Sequence, residues 1–265
     1  MRTVQRLSAG TNNSADVRQR FRVSGDDSGP VGMTGAGGAI LIATGAKLVP
    51  VKSLDQIYAQ AQGMHFVLLY KVRQWASGCH GCFAFLPENK KRNKMMSTMY
   101  PDGSDSDKPT EKATSKPMFL EWSHAKMDAA LAERLRFGGV KGVDRAIEKV
   151  LRSYNKDVSR LVDVCRQMVI FREVQHLNQC LEALERDEHV VVERIKNRMD
   201  PSYDASLTVG YRDVMVNLRI VSAESRYLGL DMHVCEVQLV LQRFAELRHD
   251  EGHDRYIRLR NARGE

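Results

Sequence analysis

The sequence contains no apolar run that approaches the roughly 20 residues of a membrane-spanning helix. The longest candidate, Ala39–Thr44, is short and flanked by glycines. No internal repeat is visible, which argues against a solenoid or a propeller built from repeated units.

Cysteine is also scarce, with five residues at positions 79, 82, 165, 180 and 235. An odd, scattered set argues against a disulfide framework and favours a reducing compartment, so we predict a cytoplasmic protein. The first 22 residues hold five arginines and one acid, Asp16. This composition fits either a transit peptide for organellar import or a disordered tail, and the tail is the favoured interpretation.

Neither sign of charge dominates the chain. Lysine and arginine total 40 against 33 acidic residues, which gives a net charge of +7. The charges are mixed in sign and form no long basic block, so the modest bias favours an anionic partner such as a nucleotide or RNA without identifying it. Hydrophobic content of 43% and charged content of 28% are ordinary for a soluble globular protein.

Composition divides the chain into three parts. Residues 1–38 are rich in Ser, Gly, Asn and Asp and are predicted to be a disordered tail. Residues 39–117 are a poorly defined segment, in which 39–86 could supply a strand, a helix and another strand, and 87–117 is a linker or surface loop. Residues 118–265 are predicted to be one domain that folds alone.

The periodicity of residues 118–265 predicts the order α, α, β, α, β, β, β, α. We expect the first helix to follow a cap at Ser123, and the last to run from Gln242 to about Arg260. The second helix is predicted to bury one apolar face, formed by Val143, Ile147, Val150 and Leu151. This order predicts an α+β fold with helices packed on a small, mixed sheet.

Polar side chains accompany the last three predicted strands, where packing alone needs only alternating apolar residues. Acids, an aromatic ring and several bases on neighbouring strands suit a nucleotide phosphate and its metal ion. A sheet with a purely structural role is the alternative. The residues are Lys196, Arg198, Tyr211, Asp213, Glu236 and Gln238.

Residues 139–256 resemble the RelA/SpoT synthetase domain through motifs in a fixed order. The first is a basic helix with Lys141 and Lys149, and a strand with Asp163 follows 14 residues after the second lysine (163 − 149). The later motifs are a pair of bases, a Gly-Tyr turn, a Glu-x-Gln strand and the segment EGHDRY. Their residues are Lys196, Arg198, Gly210, Tyr211, Glu236, Gln238 and His253.

The resemblance implies a nucleotidyltransferase-like sheet and transfer of pyrophosphate from Mg²⁺-ATP to the 3′-hydroxyl of GDP or GTP. Such chemistry needs alignment and charge neutralisation more than covalent steps. It implies that Asp163 and Glu236 hold Mg²⁺, or that Glu236 takes the proton from the attacking hydroxyl. The implied ATP ligands are Lys141, Lys149 and Arg145. The implied ligands of the guanine nucleotide are Tyr211, Lys196, Arg198, Gln238 and His253, with Tyr211 stacked on the base.

Several positions depart from the family pattern. Gly139 and Met168 stand where the family has arginine, although Arg166 lies near the second position. Two function classes therefore stay open. One is a guanine-nucleotide pyrophosphokinase, and the other is a non-catalytic module that binds a guanine nucleotide or RNA on the same fold. Asp163 has a simpler interpretation too, as a salt-bridge partner of Arg160 or Arg166.

Two other clusters carry a weaker signal for a metal ion. Cys79 and Cys82 have CxxC spacing, but no second CxxC exists to complete a tetrahedral site. His249 and His253 lie four residues apart, but the segment HDEGH lacks the HExxH pattern. Free cysteines and ordinary histidines are the favoured interpretation. The sequence carries no signal for the oligomeric state.

Overall fold

The structure is a computed structural model that describes residues 41–44, 47–86 and 118–247. The predicted tail at 1–38, the linker at 87–117, and His249 and His253 lie outside these ranges. The strands are β1 (Leu41–Thr44), β2 (Lys47–Pro50), β3 (Cys82–Phe85), β4 (Met118–Glu121), β5 (Leu135–Arg136), β6 (Arg166–Phe171), β7 (Val190–Asn197), β8 (Val214–Ile220) and β9 (Cys235–Leu241). The helices are α1 (Leu54–Gly78), α2 (Trp122–Ala125), α3 (Ala129–Glu133), α4 (Val143–Ser153), α5 (Val174–Arg186), α6 (Ala223–Tyr227) and α7 (Gln242–Leu247).

A mixed sheet organises the fold. Within the described residues it has seven strands, in the order β4-β3-β6-β9-β8-β7, with β5 paired to β3. β6 and β9 run parallel, while the other neighbours are antiparallel. β1 and β2 form a separate hairpin. The predicted α+β class is confirmed, and the sheet is larger than expected because β3, β4 and β5 join it.

The strands follow the alternation in the sequence. On β8 the apolar residues Val214, Val216, Leu218 and Ile220 are buried, as a strand with one face toward a core requires. The other face of the sheet carries Met215, Asn217 and Arg219 from the same strand. The same alternation continues on β9, where Cys235, Val237 and Leu239 enter the core.

Helix α1 is the main apolar cover of this core. Its buried residues recur every three or four positions, which puts them on one helical face. It contacts β6 and α5. The buried set is Ile57, Ala61, Met64, Leu68, Val72, Trp75 and Ala76.

Polar contacts tie the same helix to the rest of the fold. Asp187 accepts hydrogen bonds from Lys71 Nζ and from Trp75 Nε1, each at 2.9 Å. The predicted boundary at residue 118 therefore runs through a continuous core. Whether residues 118–265 fold alone stays a prediction, and this packing favours the opposite outcome.

Two predicted helices differ from the observed ones. The helix after Ser123 is split into α2 and α3, because Asp128 caps a new start by accepting bonds from the amides of Ala130 and Leu131. On α4 the predicted inner face is wrong at three of its four positions. Ala146 and Val150 are buried there, whereas Val143, Ile147 and Leu151 are 51%, 40% and 57% exposed.

No helix in the described ranges is long and apolar enough to cross a bilayer.

Candidate active site

The face of the sheet that bears Asn217 carries a row of polar residues across four strands. Arg166 on β6 pairs in register with Glu236 on β9, Glu236 with Asn217 on β8, and Asn217 with Arg194 on β7. Side chains at paired positions project from the same face. The neighbouring row is Met168, Gln238, Met215 and Lys196.

Asp163 lies next to this row, in the loop before β6, and binds two lysines. Its Oδ2 accepts hydrogen bonds from Lys141 Nζ at 2.6 Å and Lys149 Nζ at 3.1 Å. Its Oδ1 is buried and has no hydrogen-bond partner. The structure thus brings together three residues that the motif order singled out. The simpler interpretation expected Asp163 to pair with Arg160 or Arg166. Its ion pairs are instead with the two lysines.

The backbone positions of these residues correct two expectations. Lys141 does not lie on the helix, because Gly142 is the extended N-cap residue and α4 begins at Val143. Asp163 is not on a strand either, since the β6–β9 ladder begins only at Arg166. Both residues occupy loops before regular elements.

Several hydrogen bonds hold the loop that carries Lys141. Its amide donates to Val164 O at 3.0 Å, and its carbonyl accepts from Tyr58 Oη at 2.8 Å. The Gln167 side chain both donates to and accepts from the backbone of Gly138, each at 2.8 Å. Helix α1 therefore supports the site directly through Tyr58.

The pKa values of the two acids move in opposite directions, although burial raises both. Burial alone raises the pKa of Asp163, but the charges of Lys149 and Lys141 outweigh it and lower that pKa to about 2. For Glu236, burial and the repulsion from Asp163 raise the pKa, and Lys149 and Arg166 oppose this only in part. Glu236 Oε1 accepts a hydrogen bond from Gln238 Nε2 at 2.8 Å. Glu236 is thus the carboxyl in the site that takes up a proton more readily.

Asp213 is a third acid near the site, which the sequence singled out among the polar residues of these strands without giving it a role. It is 1% exposed, and its Oδ1 accepts a bond of 2.7 Å from Arg198 Nη1. Its charge helps raise the pKa of Glu236, and its Oδ2 has no hydrogen-bond partner. A charged residue directly before an alternating apolar strand was the available signal. Arg198, expected to hold phosphates, is therefore already engaged in an ion pair.

The Gly-Tyr turn has the backbone that its glycine predicts. Gly210 has a φ of 81°, a conformation that glycine adopts without strain. Thr208 Oγ1 donates to Tyr211 O at 2.6 Å and closes the turn. The Tyr211 ring packs with the small apolar cluster on the site side of the sheet, which includes Cys82, Met168, Ile170, Val240 and Phe244.

The other expected ligands lie around this centre. Lys196 shares a row with Gln238. Arg145 is exposed on α4, one turn before Lys149. Arg212, which follows the Gly-Tyr turn, donates to the carbonyls of residues 198, 200 and 203 and so holds that loop in place.

The donor set fits a divalent cation in part. Magnesium prefers oxygen ligands and retains several waters, so two carboxylates suffice. Asp163 Oδ1 has no protein partner, and the charge of Asp163 is felt at Glu236. The two lysines already neutralise the other oxygen of Asp163, which weakens the attraction for a cation.

No family model matches the sequence, and no curated protein matches it. Among solved structures, the chain is similar to the small alarmone synthetase 1 from Bacillus subtilis bound to its product pppGpp. That likeness has a TM-score of 0.35 and 16% sequence identity, and it covers 46% of this chain and 66% of the other. A likeness of this size carries no conclusion about function, so any function has to be argued from the residues of the site.

Proposed function

We propose that the chain transfers pyrophosphate from Mg²⁺-ATP to a guanine nucleotide. The observation that carries the proposal is Glu236, a buried carboxyl with a raised pKa in a row with Arg166 and Arg194. A general base works best when its pKa approaches the working pH, and burial moves Glu236 in that direction. The ordered motifs that resemble the RelA/SpoT synthetase domain support the same chemistry.

In this proposal Glu236 accepts the proton of the attacking hydroxyl. Gln238, which donates to Glu236 Oε1, fixes the orientation of the carboxylate. Asp163 Oδ1 would hold Mg²⁺, which neutralises phosphate charge when bound, and in the alternative to its role as base Glu236 would share that ion. Arg166 and Lys149 supply further positive charge next to the acids.

The guanine nucleotide is proposed to lie toward β7 and the Gly-Tyr turn. Tyr211 supplies a ring for stacking, and Lys196 supplies a cation in the row next to Glu236. Gln238 lies in the same row as Lys196, with Met215 between them, and offers an amide for hydrogen bonding. Arg198 and His253 stay proposed ligands, with Arg198 already bound to Asp213.

A labelling experiment tests the proposal. The protein is incubated with ATP labelled at the β- and γ-phosphates plus GDP or GTP, and the products are separated by thin-layer chromatography. We expect a labelled guanine product that requires Mg²⁺ and decreases ~10²–10⁴-fold in Glu236→Gln, the usual worth of a general base. Glu185→Gln changes an exposed acid on α5 and should retain full activity. Equal turnover in Glu236→Gln and wild type would eliminate Glu236 as the base.

A non-catalytic nucleotide-binding module is the second candidate. The observation that favours it is that both lysine ammonium groups bind Asp163, which ties up charge that ATP phosphates would use. Calorimetry with GDP and GTP would then show binding without turnover. Release of bound nucleotide by a single-stranded RNA would indicate an RNA-binding module on the same face.

A further inference from the structure

Three buried side chains with metal-binding atoms meet beneath the sheet, away from the acids. They are Cys165, His233 and Cys235, and each is 0% exposed. One ligand atom from each residue lies within 4.8 Å of the other two. Among the described residues this is the one such group of three, and Cys79 and Cys82 do not belong to it.

The sheet builds this cluster from distant parts of the sequence. Cys165 directly precedes β6, and Cys235 is the first residue of its parallel neighbour β9. The amide of Glu236 donates to Cys165 O at 2.9 Å and locks the two strand starts together. Because successive side chains alternate across a strand, Cys235 faces the apolar core while Glu236 faces the polar row. The cluster is therefore separate from the candidate active site.

The histidine is oriented as a metal ligand is. Its Nδ1 lies 3.3 Å from Gln60 Oε1, which can only accept, so Nδ1 carries the ring proton. Its Nε2 then has a free lone pair, and this atom is buried without a hydrogen-bond partner. A buried nitrogen left unpaired is costly, and metal-bound histidines characteristically donate their other nitrogen to an outer oxygen.

We propose that Cys165, His233 and Cys235 bind one Zn²⁺ through their two sulfurs and His233 Nε2. Two thiolates and a neutral imidazole match the preference of this ion for sulfur and nitrogen ligands. Two thiolates also balance the charge of Zn²⁺, so the bound unit is neutral and suits a core of valines and leucines, whereas Cu⁺ would leave a net negative charge. Binding releases the two thiol protons to solvent.

Charge and burial indicate a structural role for this ion. It would join the starts of β6 and β9 to the loop before β9, on the opposite side of the sheet from Glu236. A complete lack of exposure means that the ion enters while the chain folds. The three side chains leave one position of a tetrahedral zinc for water or another donor.

The chain provides a matched control. Cys180 is also fully buried, and its thiol hydrogen-bonds to Cys79, but this pair is not part of a group of three ligands within the described residues. Cys180→Ser therefore tests the loss of a buried thiol without the loss of a metal ligand.

The experiment measures metal in the full chain, purified without a histidine tag under reducing conditions. Elemental analysis should find one zinc per chain in wild type and in Cys180→Ser, and less than a tenth of that in Cys235→Ser and His233→Ala. After unfolding with a chelator and refolding with Co²⁺, wild type and Cys180→Ser should show thiolate-to-cobalt charge-transfer absorption. Cys235→Ser should not.

Wild-type protein alone can overturn the proposal, even if the variants fail to fold. The proposal is wrong if wild-type protein folds without zinc and has the same Tm after refolding in Zn²⁺ as after refolding in chelator. A Cys165–Cys235 disulfide found by mass spectrometry in protein isolated without reductant would identify a redox pair in place of a metal site. Equal zinc in wild type and Cys235→Ser would show that the ion binds elsewhere.

Discussion

Asp163 and Glu236 are both carboxylic acids and lie in one site, yet their pKa values move in opposite directions. The difference comes from which acid the lysines contact. Lys141 and Lys149 both bind Asp163 directly, whereas Glu236 receives a hydrogen bond from a neutral amide. Asp163 is thereby kept ionised, whereas Glu236 is protonated more readily.

Replacing Asp163 by Asn should destabilise the fold. Two lysines would lose their shared counter-ion, and breaking a buried pair by removing one partner costs about 3–5 kcal/mol. Urea unfolding measures this loss. Asp128→Asn is the control, because asparagine retains the helix cap at this exposed position. Equal stability of Asp163→Asn and wild type would mean that the ion pairs contribute nothing.

The lowered pKa of Asp163 predicts that the free energy of unfolding falls in acid. Its pKa is lowered to about 2, so its contribution is present above the unfolded value, near 3.9, and is lost as the pH falls toward 2. Urea midpoints from pH 5 to pH 2 should fall more steeply in wild type than in Asp163→Asn. If the urea midpoints of the two proteins fall in parallel with pH, the pKa of Asp163 is not lowered by folding.

Glu236 predicts the opposite pH dependence. Because folding raises its pKa, the protonated form favours the folded state, and that contribution is lost as the pH rises through the folded value. Glu236→Gln retains a neutral side chain at every pH and should be more stable than wild type at pH 7. Thermal unfolding with chelator present measures the difference, which Glu185→Gln should not reproduce. A Glu236→Gln protein with a lower Tm at pH 7 would contradict the raised pKa.

At the scale of elements, the turn between α1 and β3 depends on close packing. A Cβ on Gly81 would lie 2.7 Å from Ala76 Cβ and 2.8 Å from Val169 Cγ1. Gly81→Ala should therefore cost about 1–3 kcal/mol through overpacking. Gly78→Ala, three residues earlier, meets nothing within 4 Å and should leave the unfolding midpoint unchanged or higher. Equal effects of the two substitutions would show that the contact has no energetic weight.

Elements with strong local periodicity could be predicted from the sequence, and those defined by distant contacts could not. The alternation of β8 and the helical spacing of α5 are local, and both are observed. The apolar pattern of residues 39–86 indicated a strand after a helix, as β3 is, but β3 and β4 pair across more than 30 residues of chain, so no local pattern reveals their pairing. On α4 the pattern of large apolar residues predicted the wrong inner face, because tertiary packing buries the small Ala146 and turns Lys149 toward Asp163.

In the candidate site, too, contacts between distant segments could not be predicted from the sequence. The motif order identified Lys141, Lys149 and Asp163, but not that both lysines bind one carboxylate. Arg166 enters the site through the register of β6 with β9, which no single segment of sequence specifies, and Asp213 enters it through the effect of its charge on Glu236.

For the whole molecule, the core predicts where truncation is tolerated. A chain of residues 118–265 lacks α1 and β3 and leaves the apolar face of β6 uncovered. We expect it to bind ANS and to unfold without a cooperative transition. A chain of residues 39–265 retains both elements and should unfold cooperatively. If residues 118–265 unfold cooperatively, the domain boundary at residue 118 that composition predicted is correct.

The position of β9 in the sheet has a consequence for synthesis on the ribosome. β9 is the last strand of the described chain, yet it lies between β6 and β8 and joins the two halves of the sheet. Until residues 235–241 have emerged, β6 and β8 each expose an unpaired edge, and such edges favour aggregation. The nascent chain therefore carries the open edge of β6 from residue 171 onward and that of β8 from residue 220 onward, and the sheet closes only when β9 is inserted.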